Sequence, residues 1–365
     1  MSFDSTIDGF LAEAGWGAVL RLPLSGDAST RRYVRLVRDG ETALLMIQPQ
    51  AAETPSAGKE ATSQERMALG YNAVARLAGA DCARFVAAAQ YLAGLGLSAP
   101  QIYAADAAAG LVLIEDFGAD LFTDSLEKGI AESDLYEGAA EVLARLHADK
   151  APALLPPDKD FYAYDETALL AEVALLTEWF FPVALKRAAT AEELTEFQGA
   201  WREALAPVLA APAYFVHRDY HAQNLLWLPE RSGPARVGLI DFQDAVAGSA
   251  AYDLISLTED ARRDVAPVLA EHTLSHYRNT MARQGTPVEA DRFALEMALF
   301  AAQRNTKIVG IFARLCRRDG KARYLELLPR VWSYLQKDLN HPALHRLKAW
   351  YDRAIPPAAR GVPAL

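Results

Sequence analysis

Two short segments constrain this chain more than anything else in it. His217-Arg218-Asp219-Tyr220-His221-Ala222-Gln223-Asn224 sets an Asp five residues ahead of an Asn, and Gly238-Leu239-Ile240-Asp241-Phe242-Gln243-Asp244 ends an apolar run on a second Asp. Short β-favouring runs at 214–216, 224–228 and 236–240 flank these polar residues. That spacing suits a phosphoryl-transfer site. Asp219 can accept a proton from an attacking hydroxyl, while Asn224 and Asp241 are hard oxygen ligands of the kind that hold the Mg2+ bridging ATP phosphates.

The same residues also admit a structural reading. A polar loop, Asn224 capping a strand and Asp241 opening a turn would serve only to satisfy backbone groups. Chance spacing is the weaker explanation. His-Arg-Asp with Asn five beyond the Asp arises by accident in roughly one chain in several hundred, before the downstream strand and Asp are counted.

Composition narrows the class. The 365 residues suffice for one large or two medium domains, and 52% hydrophobic content supplies a core. A net charge of −10 argues against nucleic acid or anionic lipid as the main partner, since both need basic surface. The two cysteines, Cys82 and Cys316, suggest no disulfide framework and fit a reducing compartment. The first residues show no basic-then-apolar leader, and the apolar stretch 169–185 is interrupted by Glu172, Glu178 and Pro182. A cytoplasmic protein with no membrane partner is the expectation.

The hydrophobic pattern predicts a short helix at 4–11 and a strand at 19–24, placed at a sheet edge by Pro23. A hairpin follows, with runs 32–37 and 42–47 joined through Asp39-Gly40. Residues 53–61 read as a loop, and 61–93 as helix broken near Gly79. Two further strands fall at 102–105 and 111–114. Beyond them helical spacing dominates, at 133–147, 165–180, 191–209 and after Tyr252. The fold class is α+β. A small antiparallel N-lobe (1–115) meets a larger, mainly helical C-lobe (116–365) at a hinge near 114–119.

Two loops complete the site. Gly26-Asp27-Ala28-Ser29-Thr30 lies between the first two strands, where small residues can fold backbone N–H groups and hydroxyls over phosphates. Leu113-Ile114-Glu115-Asp116-Phe117-Gly118 ends a strand where backbone groups and apolar walls can meet an adenine ring.

In that order, together with Leu143-Ala144-Arg145-Leu146-His147 and Ala251-Tyr252-Asp253-Leu254, these segments resemble the aminoglycoside phosphotransferase family of small-molecule kinases. Gly26-Asp27-Ala28-Ser29 with Arg31-Arg32-Tyr33, and Asp241-Phe242-Gln243-Asp244-Ala245, most resemble its bacterial amino-sugar branch. The resemblance implies a bilobal protein-kinase-like fold and phosphorylation of the anomeric hydroxyl of N-acetylmuramate or N-acetylglucosamine in peptidoglycan recycling. It further implies Asp219 as base, Asn224 and Asp241 as metal ligands, and Asp253 as a buttress in the helical lobe. Gly26, Ser29, Thr30, Arg31, Arg32, Glu115 and Phe117 fall at the nucleotide. His217, Gln243 and Asp244 flank the centre as candidate sugar contacts.

One departure stands out. Kinases usually carry a lysine on the third strand, paired with a helix glutamate, yet 42–48 contains neither Lys nor Arg. Arg31 and Arg32 are the first substitutes, then Lys59; Glu53, Glu60 and Glu65 compete as the acidic partner. Other motifs are discounted. Gly94-Leu95-Gly96 follows a helix and runs into Pro100, and the pairs His272/His276 and His341/His345 lack a third ligand. Two rivals remain open: an aminoglycoside or other small alcohol as acceptor, and a catalytically inactive nucleotide-binding module.

Overall fold

Residues 3–24, 31–48, 57–77 and 81–364 are described by the computed structural model of the chain. Its N-terminal sheet has five strands, β1 (Leu20–Pro23), β2 (Arg32–Arg38), β3 (Glu41–Ile47), β4 (Ile102–Asp106) and β5 (Leu111–Glu115). All neighbours run antiparallel, in the order β1-β2-β3-β5-β4. Pro23 lies on the edge strand, where a missing N–H costs least. The β2–β3 turn is the tight one that Asp-Gly favours, with left-handed φ of 49° at Asp39 and 85° at Gly40.

Alternation sets the two faces of β2. Val34 and Leu36 join Ala43, Leu45, Ile47, Leu111 and Leu113 in a core closed by Ile7, Leu11 and Trp16, contributed by α1 (Phe3–Glu13) and the turn after it. Tyr33 and Arg35 therefore point the other way, as the two-residue period of a strand requires.

The helical stretch expected over 61–93 is divided. α2 (Ser63–Leu69) opens on a capping box in which Thr62 and Glu65 satisfy each other's backbone donors, and it ends at Gly70 with φ 99°. A π-helical turn covers Asn72–Arg76, and α3 (Cys82–Gly94) starts on an Asp81 cap. Gly79 lies outside the described residues.

After Glu115 the chain is mainly helical, as an α+β reading requires. The elements are α4 (Phe122–Glu127), α5 (Glu132–Leu146), β6 (Leu154–Leu155), β7 (Lys159–Asp160), α6 (Glu166–Leu175), α7 (Ala191–Leu209), β8 (Tyr214–Val216), β9 (Leu225–Trp227), β10 (Val237–Leu239), β11 (Val246–Gly248), α8 (Ala251–Thr258), α9 (Pro267–Arg283), α10 (Ala290–Asp319), α11 (Leu328–Asp338) and α12 (His345–Ala354).

The change from sheet to helix falls at residue 115, but packing follows another line. One compact unit comprises 1–146, 152–162 and 217–246; the other comprises 147–151, 163–216 and 247–365. The first unit thus holds the N-terminal sheet together with both polar segments that opened the sequence reading.

The second unit is built on α10, whose buried face includes Leu299, Ala302, Val309 and Ala313. α6 continues past its expected end as a π-helical stretch to Leu185, with Pro182 inside it. Together Glu166–Leu185 is 20 residues of mean hydropathy 1.7, which meets the length and composition of a membrane span. More than half of it is buried against protein, and its Glu172 is fully buried in an ion pair with Lys307 at 2.8 Å. That is the character of a core helix. Gly310 of α10 lets it approach α6 closely, since a Cβ there would sit 2.4 Å from the Leu175 carbonyl carbon.

Candidate active site

β8 delivers the chain into the 217–224 loop, which turns back through a short helical turn into β9. Leu225, Leu226 and Trp227 then pair with Leu239, Gly238 and Val237 of β10, so Asn224 and Ile240 end up side by side. The Ile240 N–H donates to the Asn224 carbonyl at 3.3 Å. This hairpin is what joins two motifs separated by seventeen residues of sequence.

Inside the loop, hydrogen bonds hold the turn. The N–H of His221 donates to the Asp219 carbonyl at 3.1 Å, and that of Asn224 to the His221 carbonyl at 2.8 Å. The Asn224 amide donates to the Asp219 carbonyl at 2.9 Å and stands 3.5 Å from Asp241 Oδ2. Tyr220, fully buried, anchors the loop to α5 through its hydroxyl on the Ala139 carbonyl at 2.8 Å. Arg218 and Asp241 both adopt left-handed backbone, φ 76° and 64°. Each such residue costs on the order of 1–3 kcal/mol, strain that persists where the surroundings hold it.

Burial divides these polar residues into two sets. Asp219, Asn224 and Asp241 are half-buried, while His217, Arg218, Tyr220, His221, Phe242, Gln243 and Asp244 are buried beside them. Phe242 stacks on Phe85 of α3 at 4.9 Å between ring centroids. His217 meets both Tyr220 and Phe242 edge-on. Burial pushes its imidazole down to about 4, against the opposing charge of Asp219. His217 has no exposed surface and packs against the rings of Tyr220 and Phe242.

Gln243 is likewise turned inward. Its Nε2 donates to Asp241 Oδ1 at 2.9 Å, so it orients that carboxylate. Asp244 is buried, and its carbonyl lies 3.5 Å from the Arg218 guanidinium.

Of the cations expected to substitute for the strand lysine, Arg31 lies at Asp241. Arg31, its side chain only 5% exposed, places Nη1 3.2 Å from Asp241 Oδ1. The Tyr33 hydroxyl hydrogen-bonds the same guanidinium, while burial pushes that phenol up. Cys82, at the start of α3, is pushed up to about 11, first by burial and then by Asp81. Asp241 itself is held above the usual carboxylate range, by crowding within protein and by Asp219 and Asp244, against the pull of Arg31 and Gln243. Two-fifths of its side chain still meets solvent, which moderates the effect.

Arg32 is exposed on β2 and does not join this group. Lys59 pairs with Asp160 at 3.3 Å. Glu65 is engaged in the α2 capping box and Glu60 is exposed, so neither partners Arg31. Glu53 and the loop residues Gly26, Ser29 and Thr30 lie outside the described residues.

The segment after β5 is held by contacts that the sequence did not announce. Arg35 makes a two-pronged ion pair with Asp116 at 2.6 and 3.0 Å and also donates to the Gly118 carbonyl. The Glu115 N–H is bonded to the Gln101 carbonyl, and the Glu115 side chain pairs with Arg231 at 2.5 Å. Phe117 lies under the same Arg231, 4.9 Å from its ring centroid, and against Gly238, where a Cβ would come within 3.0 Å of the ring. Period-two spacing of Arg31, Tyr33 and Arg35 was the available signal for the first contact. Nothing in the sequence marks Arg231.

Hard oxygen donors at Asp219, Asn224 and Asp241, gathered where carboxylates already crowd one another, are the set a divalent cation relieves. Among the described residues no group of three His, Cys, Asp or Glu is arranged to hold an ion alone. Mg2+ fits such a place, being held characteristically by one or two carboxylates together with substrate phosphates.

The chain is similar to known proteins over most of its length. The family model described as APH, phosphotransferase enzyme family, matches residues 21–290. An N-acetylmuramate/N-acetylglucosamine kinase of Caulobacter vibrioides is 44% identical over 359 residues, covering 96% of each chain. A protein of the same name from Pseudomonas aeruginosa is 32% identical over 338 residues, covering 91% of this chain and 88% of its own. Among solved structures, an ADP-bound aminoglycoside phosphotransferase superposes with a TM-score of 0.54 at 13% identity, covering 92% of this chain and 96% of its own. That last likeness speaks to fold alone.

Proposed function

The chain belongs to the phosphotransferase enzyme family, and from that premise we propose that it is an ATP-dependent kinase acting on the anomeric hydroxyl of N-acetylmuramate and N-acetylglucosamine. The observation that carries the reading is 44% identity, over nearly the whole of both chains, to a relative named as a kinase of these two amino sugars. The site supports it independently. Three hard oxygen residues remain open to solvent on a framework of buried ones, as a centre that must admit two substrates requires.

Asp219 is the base. Its carboxylate orients the sugar hydroxyl and takes the proton as the oxygen–phosphorus bond forms, late in a largely dissociative transfer. An anomeric hydroxyl is more acidic than an ordinary alcohol, so the demand on the base is modest. Asp241 and Asn224 are the residues that would hold Mg2+, which would supply positive charge to offset that of the phosphates. Gln243 fixes the Asp241 carboxylate, and the Asn224 amide ties that strand end to Asp219. A cytoplasmic location accompanies ATP as the donor.

The test is incubation with ATP and Mg2+ against N-acetylmuramate, N-acetylglucosamine, plain hexoses and two aminoglycosides, with products read by mass spectrometry. An acid-labile amino-sugar phosphate is expected. Phosphorylated aminoglycoside alone would replace this reading, and no product would favour a binding module. Asp219→Asn is expected to lower turnover about 10²-fold or more while nucleotide binding survives; wild-type turnover would remove Asp219 as base.

A further inference from the structure

Arg31 covers one of the two carboxylate oxygens that Asp241 could offer a metal ion. Its side chain is buried, its Nη1 is 3.2 Å from Asp241 Oδ1, and Gln243 Nε2 reaches the same oxygen at 2.9 Å. Two-fifths of the Asp241 side chain meets solvent, and its Oδ2 stands 3.5 Å from the Asn224 amide. No lysine or arginine lies on β3 to meet nucleotide phosphates, so the cation needed there must come from elsewhere in the site.

Resting on the kinase reading, we propose that Arg31 is a stand-in that changes partners. Before substrate arrives it compensates Asp241, and when metal and nucleotide bind it releases Asp241 and turns to the phosphates. Two arguments support the exchange. A divalent cation and a guanidinium cannot share one carboxylate oxygen without strong like-charge repulsion in a partly buried place. The planar guanidinium is also a better phosphate partner than an ammonium, with several N–H donors aimed in one plane. The departing arginine is thus not stranded: the nucleotide brings its new counter-charge.

A consequence distinguishes this from a fixed structural ion pair. Metal alone must compete with Arg31 and binds weakly. Nucleotide alone must draw Arg31 from Asp241 and leave that carboxylate uncompensated. The two together satisfy every charge, so metal and nucleotide bind cooperatively, and Arg31 is the residue that couples them. Arg31 is therefore a positioning residue for the metal and a contact residue for the nucleotide.

The experiment uses the whole chain, with Mn2+ as probe and a non-hydrolysable ATP analogue, and reads binding by calorimetry and by the paramagnetic resonance of free Mn2+. Arg31→Gln is expected to bind Mn2+ alone more tightly, by about tenfold, and the analogue with Mn2+ more weakly by about the same factor. The opposite signs are the diagnosis. A variant that weakens both, or changes neither, overturns the exchange. Arg31→Lys keeps the charge and is expected to leave Mn2+ binding near wild type while loosening the analogue about threefold or more. If Arg31→Gln does not fold, Arg31→Lys decides, and unchanged analogue affinity there counts against the proposal. Should the wild-type chain bind no analogue even with metal, the kinase reading itself falls, which separates the two failures.

Discussion

Gln243 shows what a single side chain can hide. Its position beside Asp241-Phe242 suggests a sugar contact, yet the structure turns it inward onto Asp241 Oδ1. Its other amide atom, Oε1, is buried with no hydrogen-bond partner among the described residues. Gln243→Leu keeps most of the volume and removes both features. Activity and stability should then part company. kcat/KM is expected to fall about 10- to 100-fold, with half-maximal rate shifted to higher Mg2+, while the thermal midpoint stays level or rises. Initial rates across a Mg2+ series decide it; an unshifted metal dependence would mean that Gln243 does not orient Asp241. At this scale the sequence displayed its chemistry well and its partners poorly. That Asp219, Asn224 and Asp241 come together was legible, because two short strands flank them in sequence and pair as a hairpin in the fold. Arg231 was not, because its partner Glu115 lies 116 residues away and only the fold brings them together. The burial of His217 was not legible either: closeness in sequence to Asp219 says nothing about which way a ring faces.

Elements were legible where their signals are local. The run 191–209 is α7 to the residue, because Thr190 and Glu193 close a capping box ahead of it. The Asp39-Gly40 turn was likewise readable from two residues. The division of 61–93 and the extension of α6 to Leu185 were not, since a π-helical stretch is a response to packing. Pro182 lacks the N–H a regular helix would use, and the stretch bends around it. Packing also decides what a glycine is for. Gly310 and Gly199 both lie inside helices and look alike in sequence. A Cβ at Gly310 meets the Leu175 backbone at 2.4 Å, whereas one at Gly199, exposed on α7, meets nothing within 4 Å. Gly310→Ala is expected to destabilise by about 3 kcal/mol as α10 is pushed off α6. Gly199→Ala is expected to stabilise by roughly 0.5–1 kcal/mol through helix propensity. Urea titration of both variants checks the pair; similar shifts of one sign would contradict the close crossing.

At the scale of the whole molecule, three buried groups contribute opposing pH dependences to stability. Burial holds the imidazoles of His147 and His217 down, to about 3 and about 4, so both are neutral in the fold. Asp338 is pushed up to about 9, first by burial and then by Glu259, with which it shares the Asn305 amide at 3.0 and 2.8 Å. As pH falls below about 6.5 the unfolded chain takes up two protons on the histidines that the fold refuses. Stability is therefore lost toward acid. Asp338 acts in the other direction: from about pH 4 to its folded value the fold keeps a proton that the unfolded chain gives up, so its contribution declines as pH rises. Between about pH 4 and 6.5 the two histidines outweigh the one carboxyl by one proton, and above 6.5 Asp338 acts alone. Each unmatched proton is worth about 1.4 kcal/mol per pH unit. Of these groups the net effect is a maximum near pH 6.5. Asp338→Asn keeps a neutral hydrogen-bonding group between Glu259 and Asn305 and removes the proton. Its thermal midpoint is expected to match wild type near pH 4 and exceed it increasingly from pH 5 to 9. Midpoints at unit steps of pH decide the matter: parallel alkaline declines in variant and wild type would show that Asp338 is ionised in the fold after all.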